Sequence, residues 1–228
     1  NTPQRANADE AAIFGPEVGL SRRLYELGRR RIVILKVTGG AVPLAIDNST
    51  PFDWNVNSTN ESYQRLKDRA GKLFEDIEAQ GSKYSVDGFY WIQGESDSNN
   101  AFADLYEQNL RDLVAAAKTD FDMPDDAKFV IGQTDVTQNN GVIYDFAGDP
   151  DCTTQPCIEA AANNAKVRAA QAKVAADTDN VEIVDTAPLA RVEWEKIHLT
   201  NVSQLELGKR FAEVTELSED NKLPAQDS

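Results

Sequence analysis

The chain contains one histidine, His198, in the run Lys196-Ile197-His198-Leu199-Thr200. Imidazole titrates closest to neutrality of the common side chains, so it can take a proton from a hydroxyl and pass it to a leaving group. A lone histidine is by itself an ordinary surface or core residue, and the setting of this one is what singles it out. It falls between the last strand-like run and the last helical one, at the edge where open α/β folds gather ligands. Three residues earlier stands Glu195, close enough in sequence to orient the ring and stabilise its protonated form. Together they would make the base-and-orienter half of a nucleophilic triad. Glu195 is equally one of many surface acids of an acidic chain.

Two further clusters suit acyl transfer. In Trp91-Ile92-Gln93-Gly94-Glu95-Ser96-Asp97, a glycine between two long polar residues follows a strand-like run and allows a sharp turn that aims both side chains into a site. The Gln93 amide could donate to a developing oxyanion, while Glu95 could fix the loop or meet the nucleophile. The plainer alternative is turn chemistry with a helix cap at Ser96 or Asp97. The third cluster is Gly39-Gly40, whose backbone N–H groups could point at an oxyanion, although glycine pairs end many strands.

These clusters need elements to hold them, and the pattern supplies an alternation of helices and strands. Helices are expected over residues 17–28, 61–80, 102–118, 158–176 and 202–217. Strands are expected over 31–37, 86–93, 128–133 and 181–185. The run Arg31-Ile32-Val33-Ile34-Leu35-Lys36-Val37 is nearly continuous in apolar, β-branched residues, as a strand buried on both faces should be. Gly28 suits a helix stop. Residues 47–60 and 135–156 read as polar loops, the second a candidate cleft rim. The alternation predicts an α/β protein, a three-layer α/β/α sandwich with a mostly parallel sheet. The series opens on a helix where a parallel sheet ordinarily opens on a strand, so the first strand is expected to be missing. No repeat or linker divides the chain; one domain is expected over 1–228, with polar tails at 1–13 and 218–228.

Charge narrows the partners. Against 38 acidic residues stand 23 basic ones, a formal charge of -15, which repels nucleic acid and anionic membranes but not a neutral ester. No apolar run approaches bilayer-spanning length. Cys152 and Cys157 lack nearby histidines and make a poor zinc site, which leaves a local disulfide or two loop thiols. The first alternative points to a secreted or periplasmic location. No signal peptide is visible, but a processed secreted protein would look the same. An unpaired sheet edge where the first strand belongs would favour homo-oligomers.

Several stretches together resemble a known family. They are Lys36-Val37-Thr38-Gly39-Gly40, Phe89-Tyr90-Trp91-Ile92-Gln93-Gly94-Glu95-Ser96-Asp97, Val167-Arg168-Ala169-Ala170-Gln171, His198-Leu199-Thr200 and Gln204-Leu205-Glu206-Leu207-Gly208. They look like the sialate O-acetylesterase-like branch of the SGNH hydrolases, above all carbohydrate esterase family six, which includes acetylxylan esterases. Phe14-Gly15-Pro16-Glu17 resembles the stretch before that family's first long helix. The resemblance implies an SGNH/flavodoxin-like fold and hydrolysis of acylated sugars or small acyl esters without metal or cofactor. It casts His198 as general base, Glu195 in the place of the usual Asp, and Gly40 and Gln93 as the oxyanion hole, with Gly39 and Glu95 supporting. The family's serine lies in a Gly-Gln-Ser-Asn motif, which this sequence does not contain, so the nucleophile is unassigned. Thr38 and Ser96 are the nearest hydroxyls by motif position. The other readings are a non-catalytic carbohydrate-binding relative and a truncated fragment that has lost the nucleophile.

Overall fold

Phe129, Val130 and Ile131 form an uninterrupted apolar run with no exposed surface, a pattern that only a strand covered on both faces can satisfy. The computed structural model describes residues 14–49, 52–98, 101–139, 142–145, 154–192 and 197–215. In chain order the elements are α1 (Glu17–Glu26), α2 (Ser62–Ala79), β1 (Gly88–Ile92), a 3-10 turn (Ala103–Leu105), α3 (Tyr106–Asp120) and β2 (Lys128–Gln133). They continue with β3 (Val136–Asn139), β4 (Val142–Asp145), α4 (Gln155–Asp177), β5 (Val181–Asp185) and α5 (Asn201–Val214). The main sheet has the order β1-β2-β5, all parallel, with Phe89 opposite Phe129 and Ile131 opposite Ile183.

The two-residue period of a strand sorts these side chains onto two cores. Phe129, Ile131 and Trp91 face α3 and α4, packing with Leu110, Leu113 and Val167. Val130 and Val184 face the other way, onto Leu20 and Leu24 of α1 and Leu207 and Phe211 of α5. Helices therefore cover both faces, giving the expected α/β/α layering. α1 ends at Gly28, whose φ of +99° suits a left-handed stop, with the Arg29 N–H donating to Leu24 O at 3.0 Å. α5 begins at Thr200, whose hydroxyl accepts from the Ser203 N–H at 3.3 Å.

Two expectations fail. Residues 31–37 form no strand; Arg31 sits in a bend with φ of +54°, and Val33 is 61% and Leu35 38% exposed rather than buried on both faces. Apolar β-branched residues favour a strand only where a neighbour takes up their backbone groups, and the described sheet stops at β1. Residues 135–156 are not one loop, because β3 and β4 pair antiparallel within them and α4 begins at Gln155. The signal was there in Val142-Ile143-Tyr144 following Asn140-Gly141, a hairpin turn pair. Cys157, in the first turn of α4, is disulfide-bonded; Cys152 lies outside the described residues.

Where α1 crosses α5 the backbones nearly touch. A methyl group on Gly208 would run into the Pro16 carbonyl oxygen and the Leu20 nitrogen, and one on Gly19 into the Leu205 carbonyl oxygen. Alanine would raise helix propensity by about 1 kcal/mol at either site, but overpacking against backbone opposes it by about 1–3 kcal/mol or more. Gly208→Ala is therefore expected to lower the urea midpoint, as is Gly19→Ala, with circular dichroism as the readout. An unchanged or raised midpoint would show that the helices separate freely.

Candidate functional site

The strands of a parallel sheet all deliver their C-terminal ends to one edge, and the polar residues of this chain collect there. β1 runs into Gln93, Gly94 and Glu95, β2 into Thr134 and Asp135, and β5 into Thr186. The turn after β1 depends on Gly94, which has φ of +149° and whose absent side chain leaves room for Thr134 Cγ2 and Val167 Cγ1, 2.8 and 3.0 Å from where a Cβ would stand. The chain then turns tightly, the Asp97 N–H donating to Gly94 O at 3.2 Å and the Ser98 N–H to Glu95 O at 3.3 Å. Residues 95–97 are turn, so neither Ser96 nor Asp97 opens a helix there.

Asp97 has no exposed surface. Its carboxylate accepts the Leu44 N–H at 2.7 Å, the Ala45 N–H at 3.0 Å and the Gln93 side-chain amide at 2.5 Å. One buried acid thus fastens the chain just beyond Gly39-Gly40 to the tip of β1. Burial pushes its carboxyl up to about 6 against the pull of these three bonds, and the nearby Glu95 charge pushes the same way.

Gln93 is 8% exposed, and its amide is fully engaged. One hydrogen goes to Val42 O at 3.2 Å and the other to Asp97, while its Oε1 accepts from the Tyr106 hydroxyl at 3.2 Å. A side-chain amide has two hydrogens to donate, so none remains for an oxyanion. The oxyanion role expected of Gln93 gives way to a positioning one. Behind it, Gln171 donates to Gln93 O at 2.9 Å and accepts the Thr134 N–H at 3.0 Å, and Arg168 bonds Gln133 and the Thr134 carbonyl. The stretch from Val167 to Gln171 therefore buttresses the edge from α4.

His198 is exposed, on a strap pinned to the chain after β5. Val192 N–H donates to His198 O at 2.9 Å, Thr200 N–H donates to Ala190 O at 3.0 Å, and Arg191 Nη1 donates to Ile197 O at 2.8 Å. Glu95 lies within electrostatic reach of both Arg191 and His198. The residue is half-buried but its carboxyl is enclosed, and burial holds that carboxyl above its ordinary range against the Thr134 hydroxyl, Arg191 and His198. Arg191 also faces Asp135, with Nη2 3.7 Å from Oδ2.

A trough of about 1240 Å³ runs to this edge, and Thr38, Gly39, Gln93, Glu95 and His198 all line it. The imidazole, the turn after β1 and the end of residues 31–38 therefore share one hollow. Gly40 is exposed, one residue beyond the lining, with open space around it. Ser96 is half-buried and not part of the lining. Glu195 lies outside the described residues. Among the described residues no three His, Cys, Asp or Glu side chains gather as metal ligands. Asp97, Arg191 and Gln171 carry much of the geometry and were not expected to. Gln171 had a signal in the family-like stretch from Val167, whereas the backbone partners of Asp97, Leu44 and Ala45, lie 53 and 52 residues away in sequence.

The raised Asp97 carboxyl has a consequence for stability. Its folded value, about 6, exceeds its ordinary 3.8, so the fold holds the proton more tightly than the unfolded chain does. The stability this group contributes is complete below about pH 4 and lost as pH rises through 6, a loss on the order of 3 kcal/mol. Urea titrations of the wild type and Asp97→Asn between pH 4 and 7 should differ by a component of that slope, and parallel curves would contradict it.

Residues 2–216 match the family described as carbohydrate esterase, sialic acid-specific acetylesterase. No curated protein sequence matches the chain. Among solved structures, a protein from Arabidopsis thaliana is 21% identical with a TM-score of 0.51 over 71% of this chain, which spans only 54% of that protein's length. The native aryl esterase of M. smegmatis is 14% identical with a TM-score of 0.51, covering 90% of this chain and 89% of its own. Its inhibitor-bound form gives 13% and 0.53 over the same shares. At these identities the likeness is one of fold, and it agrees with the α/β/α layering and parallel sheet. With the family match spanning nearly its whole length, the chain belongs to the carbohydrate esterase family of sialic acid-specific acetylesterases.

Proposed function

We propose that this protein is a carboxylic ester hydrolase acting on acylated sugars or small acyl esters, with His198 as its general base. The observation that carries the reading is the shared trough, lined by the only imidazole of the chain, by Glu95 within electrostatic reach of it, and by Thr38 and Gly39. In this reading an ester carbonyl lies at the trough's end. His198 takes the proton of an attacking hydroxyl and returns it to the departing sugar oxygen, so that the acyl group changes oxygens and the alcohol leaves neutral. Glu95 stabilises the imidazolium formed midway, the task otherwise assigned to Glu195. Backbone N–H groups at Gly39-Gly40 are the donors left for the oxyanion, given the engagement of Gln93. Thr38 is the trough-lining hydroxyl nearest by motif position, and water activated by His198 is the alternative attacker.

The net charge of -15 favours neutral esters over anionic ones at low salt. The disulfide at Cys157 supports an oxidising location, secreted or periplasmic. The engagement of Gln93 also supports a second reading, a sugar-binding relative with weakened chemistry, and xylo-oligosaccharide binding without turnover of acetylated sugar would favour it.

Hydrolysis of p-nitrophenyl acetate tests the first reading. His198→Ala should lower kcat/KM by about a hundredfold or more, and unchanged hydrolysis would end the assignment. Glu95→Gln should lower kcat by roughly tenfold with little change in KM, since it acts on the cation formed in the transition state. Thr38→Ala separates the two attackers: loss of labelling by a fluorophosphonate ester identifies the threonine, and retained turnover without labelling identifies water.

A further inference from the structure

The strap that carries His198 folds back on the chain after β5, and Arg191 stands opposite Leu199 across it. Backbone bonds flank that pair, from Val192 to His198 and from Thr200 to Ala190. They tie the two limbs of the strap to each other and leave open how the strap sits on the sheet. Leu199 and Val192 are buried and hold it down. Apolar contact has no direction, however, so it fixes the depth of the strap better than its bearing. The bearing has to come from polar contacts, and Arg191 makes them.

The Arg191 side chain is only 12% exposed. Its Nη1 donates to Ile197 O at 2.8 Å, one residue before the imidazole. Its Nη2 donates to the Thr186 hydroxyl at 3.4 Å and stands 3.7 Å from Asp135 Oδ2. Thr186 in turn donates to Gln133 O, at the end of β2, at 2.6 Å. Asp135 is buried and has a guanidinium at each oxygen, because Arg168 Nη1 lies 3.3 Å from its Oδ1. A buried charge persists where it is paired in this way. Arg168 is itself rooted in α4 and bonded to Gln133 and to the Thr134 carbonyl. One guanidinium therefore links the strap to the ends of β2 and β5, with α4 behind them. A planar fork can hold partners on two sides at once, and an ammonium cannot.

We propose that Arg191 is a positioning residue of the ester hydrolysis, setting where His198 stands at the sheet edge by bridging Ile197 O to Asp135 and Thr186. Its effect on turnover rests on the hydrolase reading above, whereas its hold on the strap rests on geometry alone. A cation that lines the trough could instead serve as a binding group for an anionic substrate. Both Nη atoms of Arg191 are already committed, one to the strap and one to the sheet edge. Asp135 also answers the guanidinium charge, which would otherwise oppose the imidazolium formed midway in the reaction. Misplacing a reacting group by about 1 Å can cost roughly a hundredfold in rate, and substrate binding need not change with it.

Hydrogen–deuterium exchange and kinetics on the full chain test the two parts separately. In Arg191→Gln the Val192 and Thr200 amides should exchange about tenfold faster or more, while the Leu44 and Ala45 amides, held by Asp97, keep their rates. For p-nitrophenyl acetate, kcat should fall about tenfold with KM changed by less than about twofold. Arg191→Lys keeps the charge without the fork and should recover little of that kcat. Asp135→Asn should cost a similar factor, and the double variant no more than the larger single loss, because the two residues act through one contact. Unchanged strap exchange in Arg191→Gln would overturn the inference, as would full recovery by lysine or losses that multiply in the double variant. A raised KM at unchanged kcat would make Arg191 a substrate-binding group and overturn it too. Full turnover in Arg191→Gln where His198→Ala is inactive would remove the positioning role. If His198→Ala is itself fully active the hydrolase reading fails, and the strap exchange alone then decides whether Arg191 holds His198 in place.

Discussion

A carboxylate with no exposed surface normally survives only where donors surround it, and Asp97 meets that condition by joining two stretches more than 50 residues apart. Leu44 and Ala45 belong to the turn that follows residues 31–38, and Gln93 belongs to the tip of β1. Beside the Gln93–Val42 bond, this acid is what the described hydrogen bonding offers to hold the chain after the glycine pair against the tip of β1, because residues 31–38 and β1 share no backbone bonds. Each further feature of the edge builds on that joint. Gln93 is fixed by it, Tyr106 and Gln171 fix Gln93 from behind, and Thr134 is held by Gln171 in turn. Burial keeps the Tyr106 phenol protonated and therefore a donor, which suits its place in the chain of bonds.

This connectivity explains why polar residues are tolerated at the centre of an apolar domain. Gln93, Asp97, Tyr106 and Gln171 are all buried, and each has its partners within the group. A network satisfied in this way fixes one arrangement, whereas a partly satisfied one would be costly. The trough side of the same edge is built differently. There the groups that could meet a substrate, His198 and Thr38, are exposed, and the strap carrying His198 is held by backbone bonds, by Arg191 and by Leu199 packed into the core below. The edge thus divides into a rigid floor and an open wall.

That division also marks what could be read from the sequence. β2 and β5 fall where their apolar runs placed them, at residues 128–133 and 181–185; β2 is buried almost throughout, and β5 at Val181 and Val184. Residues 31–37 carry the same pattern and do not form a strand, since periodicity reports the burial a segment is suited to and not whether a pairing partner is beside it. The placement of His198 at the strand ends was legible from its position between the last strand and helix. The task of Gln93 was not: its type announced a donor, but which acceptors would take its two hydrogens depended on Val42 and Asp97 meeting it in space. Glu95 was singled out by its place after β1, whereas its nearness to His198 required the fold.

Two stretches meet at the open wall. Thr38 and Gly39 stand at the end of residues 31–38 and Glu95 just beyond β1, so whatever sets the spacing of those two stretches sets the distance from Thr38-Gly39 to Glu95. Side-chain ties at Arg29–Asp87 and at Asp97 hold the ends, but a single ion pair with a partly exposed acid contributes little, and salt screens it. Acyl transfer needs its donors placed to within a fraction of an ångström of the developing oxyanion. In the proposed reaction such placement therefore rests on the buried joint at Asp97 rather than on the partly exposed Arg29–Asp87 pair.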